Sequence, residues 1–387
     1  MAAPVLISAL AAVAAIGGFF IGRHAATDAY VKKVAPIVAN EITLETLWDG
    51  VHGSLDDPVN ARALAAIYGI PPGDRARLEQ RLREIPWVPP HRPAPFVGYM
   101  ARAFDGAGLH VNAEGFRDAE RDYYSKPAGT VRVFVTGGST AWGSGSVQAD
   151  TIANALERIL NDRVAGATRL RYEVINAAFP AWSTTQEKVV IQQRLVDMHP
   201  DLIIMFSGNN DVHWASQSAD VRWFFTYSDL NAVTLLNELL LSSGHPDERI
   251  AVPVTPGPVA CADVGRRAAR NVEEAARSAA LVNSRLVFAL QPNLVSTTKR
   301  PSEREQRYLS QQSKPYWDAC YQAIREETAK IQAPNFQALD VSRLFGEYGA
   351  DTELFIDTYH LAAKANLAVA QALASQLDWS TIKPKDE

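Results

Sequence analysis

The chain has 387 residues, 47% of them apolar and 21% charged, enough to bury one large α/β core or two modest ones and unlike a disordered segment. Its formal net charge of −5, with no Lys/Arg cluster beyond short stretches such as Arg266-Arg267, argues against a nucleic-acid binder, whose phosphate-facing surface must be basic. Two cysteines, Cys261 and Cys320, are too few for a disulfide scaffold or a zinc site, and one bridge between them is possible if the domain lies outside the cytoplasm.

In chain order, the first element is the uncharged run from Val5 to Ile21 (VLISALAAVAAIGGFFI). With Pro4 and Gly22 it reaches the length of a bilayer-spanning helix. Residues 1–24 therefore read as a membrane anchor or an uncleaved signal. Cleavage near Ala25-Ala26 is the alternative, but the n-region lacks Lys or Arg and the apolar run is long for an h-region. Arg23, Lys32 and Lys33 all follow the span, so the positive-inside rule would hold the rest of the chain in the cytoplasm. From Ala25 to about Glu84 helical periodicity is broken at Gly50, Pro58 and Pro71-Pro72, and then runs into WVPPHRPAP. Residues 25–95 read as a small helical stalk and a proline-rich linker, ahead of a main domain over residues 96–387.

From Val131 short β-branched runs alternate with long helical segments. The runs VRVFVT, YEVINA, DLIIMFS, RLVFALQ and FQALDV are apolar throughout, as expected of strands covered on both faces. Helix candidates cover residues 151–160, 184–198, 264–283, 316–331 and 361–377. This alternation predicts a three-layer α/β/α, doubly wound domain on a parallel five-stranded sheet of the flavodoxin-like kind. Ligands in such sheets bind beyond the carboxyl ends of the strands, so residues just after each strand are the chemical candidates.

After the first run comes FVTGGSTAWGSG, where Ser139 follows two glycines and precedes a helix-compatible segment. A serine at such a turn can expose its hydroxyl near a helix N-terminus, although a tight turn or a phosphate loop would look similar. No Lys-Ser or Lys-Thr follows the glycines, which disfavours a Walker loop, and Ala141 stands where the G-x-S-x-G elbow needs glycine. After the third run, FSGNNDVHW places Asn210 where its amide can donate to a developing oxyanion, and Asp211 where it can tie down the loop through backbone N–H groups. Taken singly, such a loop is more often a turn. His199 and His213 have no metal-ligand spacing, and no metal or cofactor is expected. The apolar segment VRWFFTYSDLNAVTLLNELLL reads first as core packing or a subunit contact, and second as an acyl-binding or membrane-facing lid. Near the C-terminus, DTYH puts Asp357 three residues before His360, a spacing from which the carboxylate can orient the imidazole.

GGST, NAAFPAWST, GNND and DTYH, with the lead-in NAEGFRD, resemble in order and approximate spacing the blocks of SGNH (GDSL-type) hydrolases, over roughly residues 112–377. The resemblance implies a triad of Ser139, Asp357 and His360 and an oxyanion hole from Ser139, Ala181 and Asn210. Gly138, which replaces the Asp of GDSL, and Asp211, His213 and Trp214 are expected to border the substrate. Asn112 and Arg117 are expected to order the loop beside the serine strand. Ala181 stands where the family has glycine; its backbone N–H survives, and the hole is weakened only if the backbone there needs a positive φ. Cleavage of a small-molecule or glycan O-acyl ester, of short-chain or acetyl type, is the leading expectation. Transfer of the acyl group to a glycan, or a non-catalytic binding module on the same fold, are the alternatives. The resemblance also places the domain outside the cytoplasm, against the charge rule.

Overall fold

The computed structural model describes residues 89–384 except 107, 169, 219–236, 238–239, 242–243, 252–256 and 310–312. The expected membrane anchor, the stalk and the first part of the linker lie outside the described residues. Among the described residues, no helix is long and apolar enough to cross a membrane.

Two hairpins open the domain: β1 (His91–Ala94) pairs antiparallel with β2 (Gly98–Ala101), and β3 (Phe104–Gly106) with β4 (Leu109–Val111). The proline-rich segment is thus not wholly a linker, and the domain includes residues that the sequence pattern assigned to one. Prolines suit β1 because a two-stranded ribbon leaves alternate N–H groups without ladder partners. The hairpin is anchored to the main body. Tyr99 donates its hydroxyl to the Pro180 carbonyl at 3.1 Å, and the His91 and Tyr99 rings meet Phe179 edge-on at 6.0 and 4.9 Å.

The five β-branched runs form β5 (Thr130–Gly137), β6 (Arg171–Asn176), β7 (Leu202–Ser207), β8 (Arg285–Leu290) and β9 (Phe336–Asp340), all parallel, in the order β6-β5-β7-β8-β9. β5 and β7 are buried at every residue, whereas β9 alternates half-buried and exposed positions. The expectation of uniform cover fails for β9, where Asp340 faces out to pair with Arg325, although it holds at the other edge strand, β6, from Tyr172 to Asn176. β5 connects to β6 on one side and neighbours β7 on the other, so the chain reverses winding direction between β5 and β7. A crevice opens there, at the carboxyl ends of the strands.

Helices cover the sheet in two groups. α2 (Ile152–Arg163) packs on β6 and against α8 (Ala363–Gln376), while α5 (Cys261–Leu281) packs on β8 and against α3 (Thr184–Gln193) and α7 (Lys314–Thr328). The N-terminus of α2 is capped by Thr151, whose hydroxyl accepts from Asn154 N, and that of α3 by a Ser183/Gln186 capping box. The helix expected over residues 184–198 stops at Gln193 and continues as a 3₁₀ turn, Leu195–Met198. His199 ends it in the left-handed region (φ 53°), and its position before Pro200 disfavours the α conformation. Cys261 and Cys320 are joined in a disulfide that ties the first turn of α5 to α7.

Candidate active site

The site begins at the end of β5, where the chain turns into a four-residue helix, α1 (Ser139–Trp142). Gly137 adopts φ 150°, and a Cβ there would run into the Phe206 carbonyl of β7 and the Ala141 side chain. A Cβ on Gly138 would collide with the Asn210 amide nitrogen and stand 3.0 Å from the Trp182 carbonyl. The two glycines thus let the ends of β5 and β7 close together. They put Ser139 in the first turn of a helix, where its backbone N–H has no intrahelical acceptor. Gly138 shapes this close approach through its missing side chain.

The other end of α1 is held as firmly. Arg117, fully buried, donates to the carbonyls of Trp142 (3.0 Å), Gly143 (2.9 Å) and Ser146 (2.6 Å), and Asn176 donates to those of Ala141 and Trp142. These bonds satisfy carbonyls that so short a helix leaves without partners. Burial lowers the Arg117 guanidinium to about 9, which leaves it cationic at neutral pH against the negative end of α1. Asn112 accepts from Glu114 N and Phe116 N. Asn112 and Arg117 therefore order the loop beside the serine strand, as their motif predicts.

Ser139, Asp357 and His360 are brought together from opposite ends of the domain. His360 Nε2 lies 2.7 Å from Ser139 Oγ, and His360 Nδ1 lies 2.7 Å from Asp357 Oδ2. The second Asp357 oxygen accepts from the backbone N–H groups of Tyr359 (2.8 Å) and His360 (2.9 Å). Burial alone would raise this carboxyl, but the charge of His360 and the hydrogen bonds from His360 and Tyr359 outweigh it and hold Asp357 below its ordinary value. An ionised carboxylate only accepts, so whenever the imidazole is neutral Nδ1 keeps the proton and Nε2 is the atom that can accept from the serine hydroxyl. The loop carrying both residues folds back on itself through Ile356 N to His360 O (2.8 Å) and Ala362 N to Leu354 O (2.8 Å). Glu305, on α6 (Glu303–Leu309) and fully buried in an ion pair with Lys299, accepts from Leu354 N and Phe355 N and pins the start of that loop.

Asn210 stands in the first turn of α4 (Asn209–Ser216), beyond β7, with its amide nitrogen 2.7 Å from the Trp182 carbonyl. That contact joins the GNND loop to the NAAFPAWST loop, so Ala181 and Asn210 flank the crevice near Gly138. Ala181 adopts φ 66°. The backbone there requires the left-handed region, and alanine accommodates it at a cost of about 1–2 kcal/mol. The condition under which this substitution matters is met.

The residues expected to border a substrate divide. Asp211 is buried, and its carboxylate accepts from the Thr184 hydroxyl (2.5 Å) and the Thr184 N–H (3.2 Å), so it ties α4 to α3 and does not line the crevice. Burial raises it to about 6. Trp214 is likewise buried, packed against the His213 ring at 5.2 Å. His213 does approach the loop that carries Asp357 and His360, with Nδ1 3.4 Å from the Tyr359 hydroxyl. Burial lowers His213 to about 4, so it is neutral at physiological pH. Of the apolar segment after it, nearly all lies outside the described residues. Gln291 and Asn293, directly after β8, were not singled out by motif; Gln291 donates to the Thr140 hydroxyl beside Ser139 at 3.1 Å. Their place after a strand end was the signal that could have found them. Among the described residues, no group of three or more His, Cys, Asp or Glu is placed to hold a metal ion.

No protein-family model and no curated protein matches the chain. Solved structures similar to it include the acetyl xylan esterase AlAXEase, at 15% identity and a TM-score of 0.39, covering 64% of this chain and 100% of that one. A lipase/acylhydrolase from Enterococcus faecalis has 14% identity and a TM-score of 0.40 over 66% of this chain and 100% of its own. TesA has 14% and 0.38, over 65% and 98%. Likeness at this level carries no argument about activity, which has to come from the site itself.

The positive φ of Ala181 has a measurable consequence. Ala181→Gly should raise stability by about 0.5–1 kcal/mol, the relief of the left-handed strain less the extra backbone entropy of glycine. Thermal unfolding measures it, and a lowered Tm would mean that the alanine methyl group packs more favourably than the backbone is strained.

Proposed function

We propose that this chain is a serine hydrolase of the SGNH kind that cleaves a short-chain O-acyl ester through an acyl-serine intermediate. The observation that carries this reading is the unbroken run of contacts from Asp357 Oδ2 through both nitrogens of His360 to Ser139 Oγ, each 2.7 Å. In this reading Ser139 Oγ attacks the ester carbonyl carbon while its proton passes to His360 Nε2, and Asp357 steadies the resulting imidazolium. The carbonyl oxygen becomes an oxyanion faced by the N–H groups of Ser139 and Ala181 and the amide of Asn210. When the tetrahedral adduct collapses, the C–O bond to the alcohol breaks and the alcohol leaves with the proton from His360. Water, deprotonated by the same nitrogen, then attacks the acyl-serine, releasing the carboxylic acid and restoring the Ser139 hydroxyl.

We further propose that the domain works outside the cytoplasm, tethered by the N-terminal apolar run. The Cys261–Cys320 bridge supports that side, because disulfides persist in oxidising compartments and are rare in reducing ones. Protease added to intact spheroplasts should digest the domain; full protection of the C-terminus would place it in the cytoplasm.

If the three residues act as a unit, their losses do not add. Ser139→Ala and His360→Ala should each remove nearly all turnover of a p-nitrophenyl ester, with the double variant scarcely worse. Asn210→Ala should lower kcat by roughly a hundredfold to a thousandfold, since it removes one donor and leaves the nucleophile. Steady-state kinetics on folded variants check both, and Ser139→Ala retaining wild-type turnover would end the reading.

A further inference from the structure

Three asparagine side chains run in series from the loop after β8 to the crevice. Asn293 Nδ2 donates to Asn209 Oδ1 at 2.5 Å, Asn209 Nδ2 to Asn210 Oδ1 at 3.5 Å, and Asn210 Nδ2 to the Trp182 carbonyl at 2.7 Å. An isolated amide can turn over, exchanging donor for acceptor at little cost in shape. Here both ends are fixed by groups that cannot exchange roles. At one end Asn293 Oδ1 accepts from the backbone N–H of Val295 at 2.7 Å, which only donates, so Asn293 must turn its NH2 toward Asn209. At the other end the Trp182 carbonyl only accepts, so Asn210 must turn its NH2 toward it. The middle amide, buried like Asn293, satisfies both neighbours in one orientation alone.

We propose that Asn293 and Asn209 are positioning residues that act with the Trp182 carbonyl to hold the Asn210 amide in one polarity and one place, so that its NH2 group faces the crevice. This rests on the reading of Asn210 as an oxyanion donor. One hydrogen of that group is held by the Trp182 carbonyl, and the other is left for the oxyanion. Were the amide reversed, its oxygen would face the developing negative charge, an acceptor where a donor is needed. The loop that supplies Asn293 is itself fixed to the catalytic elements on either side. Gln291 bonds to Thr140, next to Ser139, and Leu294 N donates to the carbonyl of Thr358, between Asp357 and His360, at 3.0 Å. The 3.5 Å step between Asn209 and Asn210 is the softest link, so losing it should weigh less than turning it into a repulsion between two amide oxygens.

Asn293→Asp tests this with almost no change of shape. One carboxylate oxygen can keep the Val295 N–H, but the other offers Asn209 an acceptor, which should reverse Asn209 and set its Oδ1 against Asn210 Oδ1, pushing the Asn210 amide off its place on the Trp182 carbonyl. In the full chain, with p-nitrophenyl acetate, N293D should lower kcat roughly tenfold to a hundredfold with KM within about twofold; the loss has the N210A effect as its ceiling. In the N210A background the same change should alter kcat by less than about twofold, because no amide remains to orient. Asn209→Ala should cost less than about tenfold, and nothing further in N210A; it decides the matter if N293D does not fold. Equal losses in both backgrounds, or a folded N293D with wild-type kcat, would overturn the proposal. The side-chain ¹⁵N amide resonance of Asn210 gives a readout without turnover. It should shift in N293D even if no ester is hydrolysed, which would sink the hydrolase reading and leave the relay standing; an unmoved resonance would sink the relay.

Discussion

The close approach of β5 and β7 at their carboxyl ends is the constraint from which the rest of the site follows. Two neighbouring parallel strands whose connections wind in opposite directions leave a crevice between them, but its width depends on what the last residues carry. Gly137 and Gly138 carry nothing, so the Phe206 carbonyl, the Trp182 carbonyl and the Asn210 amide all come within contact of the turn. Ser139 then emerges beside Asn210 and not a strand's width away. Any side chain at either glycine would push the serine turn from the asparagine loop and open the site with Ser139, Asp357 and His360 all unaltered.

Around that turn, polar groups hold the backbone where apolar packing could not. Arg117 and Asn176 take up the carbonyls at the end of α1, Asp211 fastens α4 to α3, and Glu305 holds the loop ahead of Asp357. Each is a buried polar or charged group, costly to leave unpaired and for that reason strongly directional once paired. The Lys299–Glu305 pair is completely enclosed. Removing one partner of such a pair typically costs about 3–5 kcal/mol, so its loss should be felt through folding and through His360 together. Hydrophobic burial builds the sheet, and these bonds place the few atoms between which a proton would move.

Much of this was legible beforehand. Uniformly apolar runs separated by helical periods gave all five sheet strands, and glycines, Asn210 and the DTYH pair marked where chain ends of strands would converge. The exposure of β9 could not be read from its apolar run, since the other edge strand, β6, is covered, and neither could the β1–β2 hairpin, because prolines in WVPPHRPAP mask a short ribbon that depends on Phe179 for its packing. Asp211 and Trp214 sit in the right motif but are buried, one helical turn apart on the face of α4 that packs inward. Asn293 carries no motif at all. Its meaning arises only when three loops from β7, β8 and the NAAFPAWST segment meet, and pairing across about 80 residues of sequence is not a local signal.

The central claim is that Ser139 is a nucleophile activated by His360. A fluorophosphonate probe reacts with an activated serine and not with an ordinary hydroxyl, so it tests that claim without knowledge of the substrate. Mass spectrometry of the labelled full chain should find a single adduct on Ser139, absent from folded Ser139→Ala and strongly reduced in His360→Ala. A folded wild-type chain that takes up no probe, or takes it up equally well without His360, would contradict the account.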